Sequence, residues 1–185
     1  MSHLKLISFA YLIFLSTSLF ADNHSVVLIK NATIMTASDQ GTLDNTDLLI
    51  EDGIIKEIGQ NLIINDGLEI DATGKFVMPG GIDSHCHIDQ RSSGGGRNAE
   101  TFLSGTRSAA CGGTTTIICF AAQEKGELLT PIVEDYHERA KDSCIDYSFH
   151  LIISDPSDEV MNDEVPKLID QGHRSLKIFM ILFLI

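Results

Sequence analysis

Beyond residue 75 the chain alternates between short β-branched or apolar runs and segments with the apolar spacing of helices. The runs expected to form strands are residues 76–88, 114–120 and 147–153 and the segment that starts at Ser175. Strands separated by helices at this spacing pair in parallel and are joined by right-handed crossovers. The pattern therefore predicts an α/β fold with a parallel sheet.

Three helices are expected between these strands. The first covers residues 100–110 and ends at Gly112, a residue type that is common just after a helix. The second opens with Thr130 as its N-cap and Pro131 in its first turn, and the third ends at Gly172. The apolar positions expected to face the sheet are Ile132, Tyr136 and Ala140 in the second helix and Val165, Leu168 and Ile169 in the third.

Residues 25–70 carry the signals of a small β module. A strand is expected at residues 26–29, and two more at 47–50 and 54–58. The Asp-Gly pair between the last two suits a turn with positive φ, so these strands should form a β-hairpin. A module of this size holds little core by itself.

The first 21 residues have the pattern of an export signal. Lys5 supplies a weak positively charged region, residues 6–20 are apolar apart from serine and threonine, and Ala21 precedes a polar stretch. The run is shorter than the roughly 20 apolar residues of a membrane span, so a cleaved signal peptide of residues 1–21 is expected. The protein would then be secreted or periplasmic. An uncleaved anchor, or a cytoplasmic protein with a misassigned start codon, is the alternative.

The other end of the chain, residues 178–185, is entirely apolar. Such a run is typical of a strand that is buried on both faces. A short buried strand at a true terminus is one interpretation, and a truncated chain is the preferred one.

Composition excludes some classes of partner. The chain has 13 Lys and Arg residues against 26 Asp and Glu residues, a formal charge of −13. A nucleic-acid partner needs a basic face, which this balance argues against. The four cysteines, Cys86, Cys111, Cys119 and Cys144, are too sparse for a disulfide scaffold and are expected to be small core or helix-end residues.

His85 and His87 are the first candidates for chemistry. They are two residues apart near the carboxyl end of the first predicted strand, so both imidazoles should leave the same face, while Cys86 between them should point to the opposite face and pack. Two neutral imidazoles arranged in this way can share a Zn²⁺ ion. A chance pairing of two histidines on a strand is the alternative.

Lys177 is the second candidate, because it is a lone charge within an apolar strand. A buried lysine is costly unless it is neutralised or paired. Its ammonium could reach the end of the strand and pair with a carboxylate. Alternatively, the neutral amine captures CO₂ as a carbamate, an anion whose two oxygens can bridge a pair of metal ions.

Three segments carry the most distinctive sequence: VMPGGIDSHCHI at residues 77–88, GGTTTII at 112–118 and SLKIFM at 175–180. Together they resemble the first, second and fourth barrel strands of the dihydropyrimidinase and D-hydantoinase family of cyclic amidohydrolases. The resemblance implies the N-terminal half of a TIM-like (β/α)₈ metallo-dependent hydrolase barrel, preceded by strands of a small β-sandwich domain. It assigns residues 22–75 to the sandwich segment and residues 76–185 to a barrel truncated after about the fourth strand.

The same resemblance implies a metal centre and a reaction. His85 and His87 would bind one of two divalent metal ions, usually Zn²⁺, and Lys177 would bridge the ions as N6-carboxylysine formed with CO₂. The reaction would be hydrolytic opening of a small cyclic amide, such as a dihydropyrimidine or hydantoin, and the full-length protein would be a homo-oligomer, a tetramer by family. The family's other two metal-binding histidines and its aspartate, which is also the proton shuttle, come from later strands, so no catalytic residue beyond the metal ligands is assigned.

Several alternatives stay open on the sequence. The family's pocket tyrosine is expected shortly after Lys177, where this chain has Ile181-Leu182-Phe183 instead, and the chain as given is expected to be inactive. An allantoinase or dihydroorotase would use the same metal chemistry on another ring, and a non-catalytic relative could act as a scaffold protein. The remaining histidines are expected to be structural or loop residues: His137, His150 and His173.

Overall fold

The computed structural model describes residues 25–91 and 95–179. The expected signal peptide, residues 1–21, and residues 180–185 of the apolar C-terminal run lie outside the described residues. The chain forms two compact units that divide between Met78 and Pro79, whereas the sequence placed the boundary between residues 75 and 76.

The first unit is a five-stranded mixed sheet. Its strands are β1 (Val26–Met35), β2 (Thr42–Glu51), β3 (Ile54–Gly59), β4 (Leu68–Asp71) and β5 (Phe76–Val77). The strand order is β3-β2-β1-β4, and β5 also pairs with β1. The β1–β2 and β2–β3 pairs are antiparallel, whereas β4 and β5 run parallel to β1.

The predicted hairpin between β2 and β3 is confirmed. Asp52 and Gly53 both have positive φ, +50° and +76°, as a two-residue type I′ turn requires. Strand β1 contains an irregularity at Asn31, which has a positive φ of +59° and lies where the register between β1 and β2 shifts, as in a β-bulge. The buried carboxylate of Asp47 holds this bulge in place by accepting hydrogen bonds from the backbone N–H groups of Asn31 (2.8 Å) and Leu62 (3.0 Å).

The second unit is the predicted parallel sheet, with helices between successive strands. Its elements are β6 (Gly81–Asp83), α1 (Phe102–Cys111), β7 (Thr114–Ala122), α2 (Leu129–Ala140), β8 (Asp146–Ile153), a π-helical turn (Val160–Glu164), α3 (Val165–Asp170) and β9 (Leu176–Ile178). The order is β6-β7-β8-β9 and all three pairings are parallel.

One face of this sheet packs against the helices and forms the larger core. Alternate residues of β7 and β8 enter it, and Tyr136 of α2 meets Phe149 of β8 with ring centroids 5.5 Å apart. The core residues of the two strands are Ile117, Cys119, Ala121, Phe149, Leu151 and Ile153. The predicted buried face of α2 is confirmed. Of the three residues predicted to be buried in α3, Val165 and Leu168 are buried, whereas Ile169 is 36% exposed.

The predicted strand at residues 76–88 is wrong in its extent. Phe76 and Val77 belong to the first unit, and β6 ends at Asp83. Gly80, in the segment that connects β5 to β6, lies close to β7. A Cβ atom added to it would be 2.1 Å from the side chain of Thr115. Glycine is therefore required at this crossing, and the Pro-Gly step separates two strands that belong to different sheets.

The predicted N-cap of α2 is also wrong. The helix begins at Leu129, one residue before Thr130, and the residue that precedes it makes no side-chain cap. Glu164, at the end of the π-helical turn, caps the helix instead. Its carboxylate accepts hydrogen bonds from the backbone N–H groups of Leu129 (2.6 Å) and Thr130 (3.0 Å). A carboxylate at the positive end of a helix stabilises it in the way that a local cap would.

Among the residues described, none of the helices has both the length and the apolar character needed to cross a membrane.

Candidate metal centre

The candidate site lies on the face of the parallel sheet that does not pack against the helices, and the ring of Phe120 in β7 is at its centre. Phe120 pairs with His150 of β8, and two residues further along, Ile152 pairs with Lys177 of β9. Because side chains alternate along a strand and paired residues share a face, Phe120, His150 and Lys177 point to the same side. This side is opposite to the helix-packed core.

The structure brings His85 and His87 to the same aromatic ring. The centroid of each imidazole lies 4.8 Å from that of Phe120, and the two imidazole centroids are 5.4 Å apart. The two histidines do not lie on a strand, as the sequence predicted, because β6 ends at Asp83 and they occupy the loop that follows. They nonetheless converge on one side, because both rings contact Phe120.

The loop that carries the histidines is held by polar contacts at several points. The backbone N–H of His85 donates to Asp83 Oδ1 (3.0 Å), and the side-chain amide of Asn98 donates to the carbonyl of His87 (2.7 Å). The Nδ1 atom of His87 contacts Gln90 Oε1, and because an amide oxygen only accepts hydrogen bonds, this contact favours the tautomer with the proton on Nδ1. The Nε2 atom of His87 is thereby left with its lone pair, which is the form that binds a metal ion.

Lys177 approaches the same ring from the far edge of the sheet. Its Nζ atom lies 4.2 Å from the centroid of Phe120, within the range of a cation–π contact. Among the residues described, no carboxylate oxygen lies within 4.0 Å of this amine. The alternative in which Lys177 pairs with a carboxylate is therefore not the arrangement seen, and an aromatic face takes the place of the counter-ion.

His150 faces the same side of the sheet, and its contacts are structural, which is the role expected for it. Its Nε2 atom donates to the carbonyl of Ser84 (2.8 Å), and its Nδ1 atom accepts from the hydroxyl of Ser175 (2.6 Å). The imidazole thus joins the loop after β6 to the start of β9, using both nitrogens. Alternation along β8 could have placed His150 on the site face, but no local signal identifies its two partners.

These side chains line a cleft of about 440 Å³, and its lining residues include Ser84, His85, Phe120, His150 and Lys177. Such a volume is within the range of small-molecule sites. Behind the cleft, Cys86 is half-buried and packs on the core as predicted, with its Sγ atom 3.4 Å from that of Cys119. The hydrogen bond to Cys86, together with burial, raises the pKa of the Cys119 thiol.

The donor set fits a metal centre only if Lys177 takes part in it. Within residues 25–91 and 95–179 there is no group of three or more His, Cys, Asp or Glu side chains arranged to hold a metal ion. His85 and His87 supply two imidazoles, a suitable but incomplete set for Zn²⁺. A carbamate on Lys177 would add the anionic oxygens that the described side chains do not supply.

Comparison with known proteins gives a consistent set of relatives, although no family model matches the chain. The chain is 49% identical over 155 residues to the D-hydantoinase of Geobacillus stearothermophilus, a match that covers 83% of this chain and 32% of the relative. It is 43% identical over 155 residues to the D-hydantoinase of Rhizobium radiobacter, with 83% and 33% covered.

Solved structures give the same result. A D-hydantoinase crystal structure is similar with a TM-score of 0.78 and 46% identity, over 86% of this chain and 34% of the other. The dihydropyrimidinase from Brevibacillus agri is similar with a TM-score of 0.77 and 39% identity, over the same shares of the two chains. These structures confirm the predicted fold, a partial (β/α)₈ barrel preceded by strands of a β-sandwich.

The chain spans about a third of the length of the curated relatives it matches. Its similarity extends over both units, at identities of 40% and above in the curated sequences. With the fold and the sequence in agreement, the chain matches the N-terminal part of the D-hydantoinase and dihydropyrimidinase family of cyclic amidohydrolases.

Proposed function

We propose that this chain supplies one side of the metal centre of a cyclic amidohydrolase, an enzyme that hydrolyses the ring amide of hydantoins or dihydropyrimidines. The observation that carries the proposal is the convergence of His85, His87 and Lys177 on the ring of Phe120. The names of the relatives, D-hydantoinase and dihydropyrimidinase, support the substrate class.

In this proposal Lys177 acts as a carbamate. The lone pair of the neutral amine forms an N–C bond with CO₂, and the proton that leaves nitrogen passes to water. The product has two oxygens and a negative charge, at a position where the amine contacts an aromatic face and no carboxylate oxygen of the described residues lies within 4.0 Å. The carbamate is therefore the anion that offsets the charge of divalent ions on this side of the site.

The two histidines would hold one of two divalent ions, most simply Zn²⁺. Gln90 keeps the proton on Nδ1 of His87, and the stacked face of Phe120 fixes the plane of that imidazole, with 18° between the two rings. Divalent ions held there supply Lewis acidity toward the ring carbonyl and lower the pKa of an attacking water. The further ligands and the aspartate proton shuttle are expected from the part of the relatives that this chain does not cover.

The carbamate can be tested on the chain itself. After incubation with zinc and ¹³C-bicarbonate, ¹³C NMR should show a carbamate resonance, and the chain should hold zinc, though weakly, because the further ligands are expected from the part of the relatives that it does not cover. Lys177→Ala should lose the resonance and most of the zinc, while short carboxylic acids should restore part of the zinc by supplying oxygens. Lys56→Ala, which changes an exposed lysine of the other unit, is the matched control and should behave as the parent. Equal resonance and zinc content in both variants would overturn the role of Lys177.

The reaction can be tested in a chimera, because the relatives are similar enough to complete the barrel. Residues 25–179 would replace the matching segment of the Geobacillus stearothermophilus D-hydantoinase, to which the chain is 49% identical. We expect metal-dependent opening of hydantoin and dihydrouracil, abolished by Lys177→Ala. A folded chimera that binds zinc but opens neither ring would contradict the proposed activity and favour a non-catalytic role.

A further inference from the structure

Arg139 of α2 contacts the loop that follows β6 and carries the two histidines. Its Nη1 atom donates to the backbone carbonyl of Asp89 (2.6 Å) and lies 2.8 Å from Oδ2 of the same residue. Asp89 comes two residues after His87 in the chain. One guanidinium group therefore holds both the main chain and the side chain of the loop close to a candidate metal ligand.

Asp89 has a backbone conformation and a degree of burial that both need support. Its φ is +47°, in the left-handed region that few residues other than glycine adopt. Its side chain is only 15% exposed, so the carboxylate needs a charged partner in place of water. Arg97 also approaches this carboxylate, at 3.5 Å, but the contact with Arg139 is the shorter one. The conformation of the loop at Asp89 thus depends chiefly on Arg139.

The guanidinium group of Arg139 is itself held in place by its own helix. Its Nε atom donates to Asp135 Oδ2 (3.1 Å), and its Cζ atom lies 4.1 Å from the ring centroid of Tyr136, a core residue. Burial by itself would lower the pKa of Arg139, but the ion pairs with Asp89 and Asp135 raise the pKa, and the group is charged. A planar group fixed in this way presents its remaining donors in one direction, toward Asp89.

Little backbone freedom separates Asp89 from His87. The residue between them, Ile88, is buried in the core that packs against the helices. The carbonyl of His87 accepts from the side-chain amide of Asn98 (2.7 Å), and the backbone N–H of Asn98 donates to the carbonyl of Gln90 (3.0 Å). The backbone from His87 to Gln90 is therefore held at successive residues, and a displacement of Asp89 would also displace His87.

We propose that Arg139 is a positioning residue, which fixes the loop of the two histidines by holding Asp89 against α2 and so sets where the imidazole of His87 lies. The inference rests on the metal centre proposed above and adds to it a group outside the cleft. A loop that is ordered before an ion arrives loses less conformational entropy when the ion binds. Arg139 should therefore raise the zinc affinity of the site without touching the ion.

Hydrogen exchange of the 185-residue chain without zinc tests whether Arg139 fixes the loop. Arg139→Met keeps an apolar stem beside Tyr136 but removes every donor to Asp89. We expect peptides that cover residues 85–91 to exchange several-fold faster than in the parent, while peptides of β7 and β8 change little. Arg107→Met, at an exposed position of α1, is the matched control and should exchange as the parent does. Equal exchange of the loop in Arg139→Met and the parent would overturn the proposal.

Zinc affinity, measured by competition with a chelating dye, tests whether the held loop matters to the site. Arg139→Met should weaken zinc binding about 10-fold, as is found for outer groups that orient metal ligands. Arg139→Lys should recover part of this loss, because an ammonium group can still pair with Asp89. Asp89→Asn keeps a residue type that tolerates positive φ and should cost about as much as Arg139→Met. The double variant should lose no more than either single variant, since both remove the same contact.

The outcomes distinguish this inference from the metal centre on which it rests. A parent chain that holds no zinc would count against the metal centre, and the exchange measurement would still decide whether Arg139 fixes the loop. A parent that holds zinc, with equal affinity in Arg139→Met and Arg107→Met, would overturn the positioning role of Arg139 alone. Additive losses in the double variant would show that Arg139 and Asp89 act separately, and would overturn it as well.

Discussion

At the scale of single residues, the candidate centre depends on one aromatic side chain. Phe120 contacts three imidazoles and an amine, and it is only 3% exposed. An aromatic face positions these groups without adding charge or competing for a metal ion. The ring therefore orients the donors, and the anion needed to balance divalent ions has to come from elsewhere.

Replacing Phe120 by leucine tests this orienting role. The side chain stays apolar and of similar length, but the stacked contact with His87 is lost. Loss of a group that orients metal ligands typically costs about 10–100-fold in metal affinity, and we expect a loss in that range for zinc, measured by competition with a chelating dye. Phe102→Leu, in the core on the other side of the sheet, should lower stability without this loss of affinity. Equal zinc affinity in the two variants would show that Phe120 is only a packing residue.

At the scale of elements, the start of α2 is stabilised from outside the helix. Burial by itself would raise the pKa of Glu164, but the backbone N–H groups of Thr130 and Leu129 and the Thr130 hydroxyl stabilise its carboxylate, and the net pKa is lowered. A group whose pKa is lower in the folded state adds stability above its unfolded pKa, about 4.3 for Glu. That stability is lost as pH falls through the folded value.

Glu164→Gln should therefore destabilise the second unit in a pH-dependent way. We expect a loss of about 1–2 kcal/mol in the free energy of unfolding at pH 7, since a charged acceptor of two helix N–H groups becomes neutral. The difference from the parent should begin to shrink as the pH falls below about 4.3 and should be smallest below the lowered folded pKa of Glu164, where both side chains are uncharged. Urea unfolding at the two pH values measures this. Glu159→Gln, at an exposed position just before the π-helical turn, is the control and should change the free energy of unfolding little at either pH. A loss of stability in Glu164→Gln that is the same at both pH values would argue against a role for the negative charge of Glu164.

At the scale of the whole molecule, the described parallel sheet has four strands, while a complete barrel of this type has eight. The described residues bring two imidazoles and one amine to the site, and the relatives are about three times as long. We expect the 185-residue polypeptide by itself to show no detectable opening of hydantoin or dihydrouracil at saturating zinc, in a chromatographic assay with the chimera as positive control. Robust zinc-dependent turnover by this polypeptide would mean that the site is complete without further strands.

Export is a separate property of the whole molecule. We propose that residues 1–21 are removed on secretion, because the apolar run before Ala21 has the composition of a signal peptide. Intact mass and N-terminal peptide analysis of the protein expressed with its own leader should give a chain that starts at Asp22. A product that retains Met1 through Ala21 would favour the anchored or cytoplasmic alternative.

Local and distant contacts account for what the sequence could and could not predict. The turn at Asp52 and Gly53 was predictable because its conformation depends on those residues alone. The start of α2 was not, since its cap, Glu164, is 35 residues from Leu129 in the chain. The partners of His150 could not be predicted for the same reason, because they come from two other segments. His85, His87 and Lys177 could be singled out because their signals are local, a two-residue spacing on a strand and a lone charge in an apolar run, and the family resemblance added the roles expected of them.

The two histidines follow the first strand of the described parallel sheet, and Lys177 lies on its last strand, an arrangement that has a mechanical consequence. In a flat sheet β6 and β9 would be about 14 Å apart, at three spacings of about 4.8 Å. The imidazole centroids of the histidines after β6 and the Nζ atom of Lys177 on β9 nevertheless lie within 5 Å of one phenylalanine centroid, and curling of the sheet toward this face brings such groups together. If these groups share an ion, as we propose, that ion would favour the curled form over the flat one, and by linkage any change that bends or straightens the sheet would alter its affinity. Zinc affinity would therefore report on the curvature of the parallel sheet.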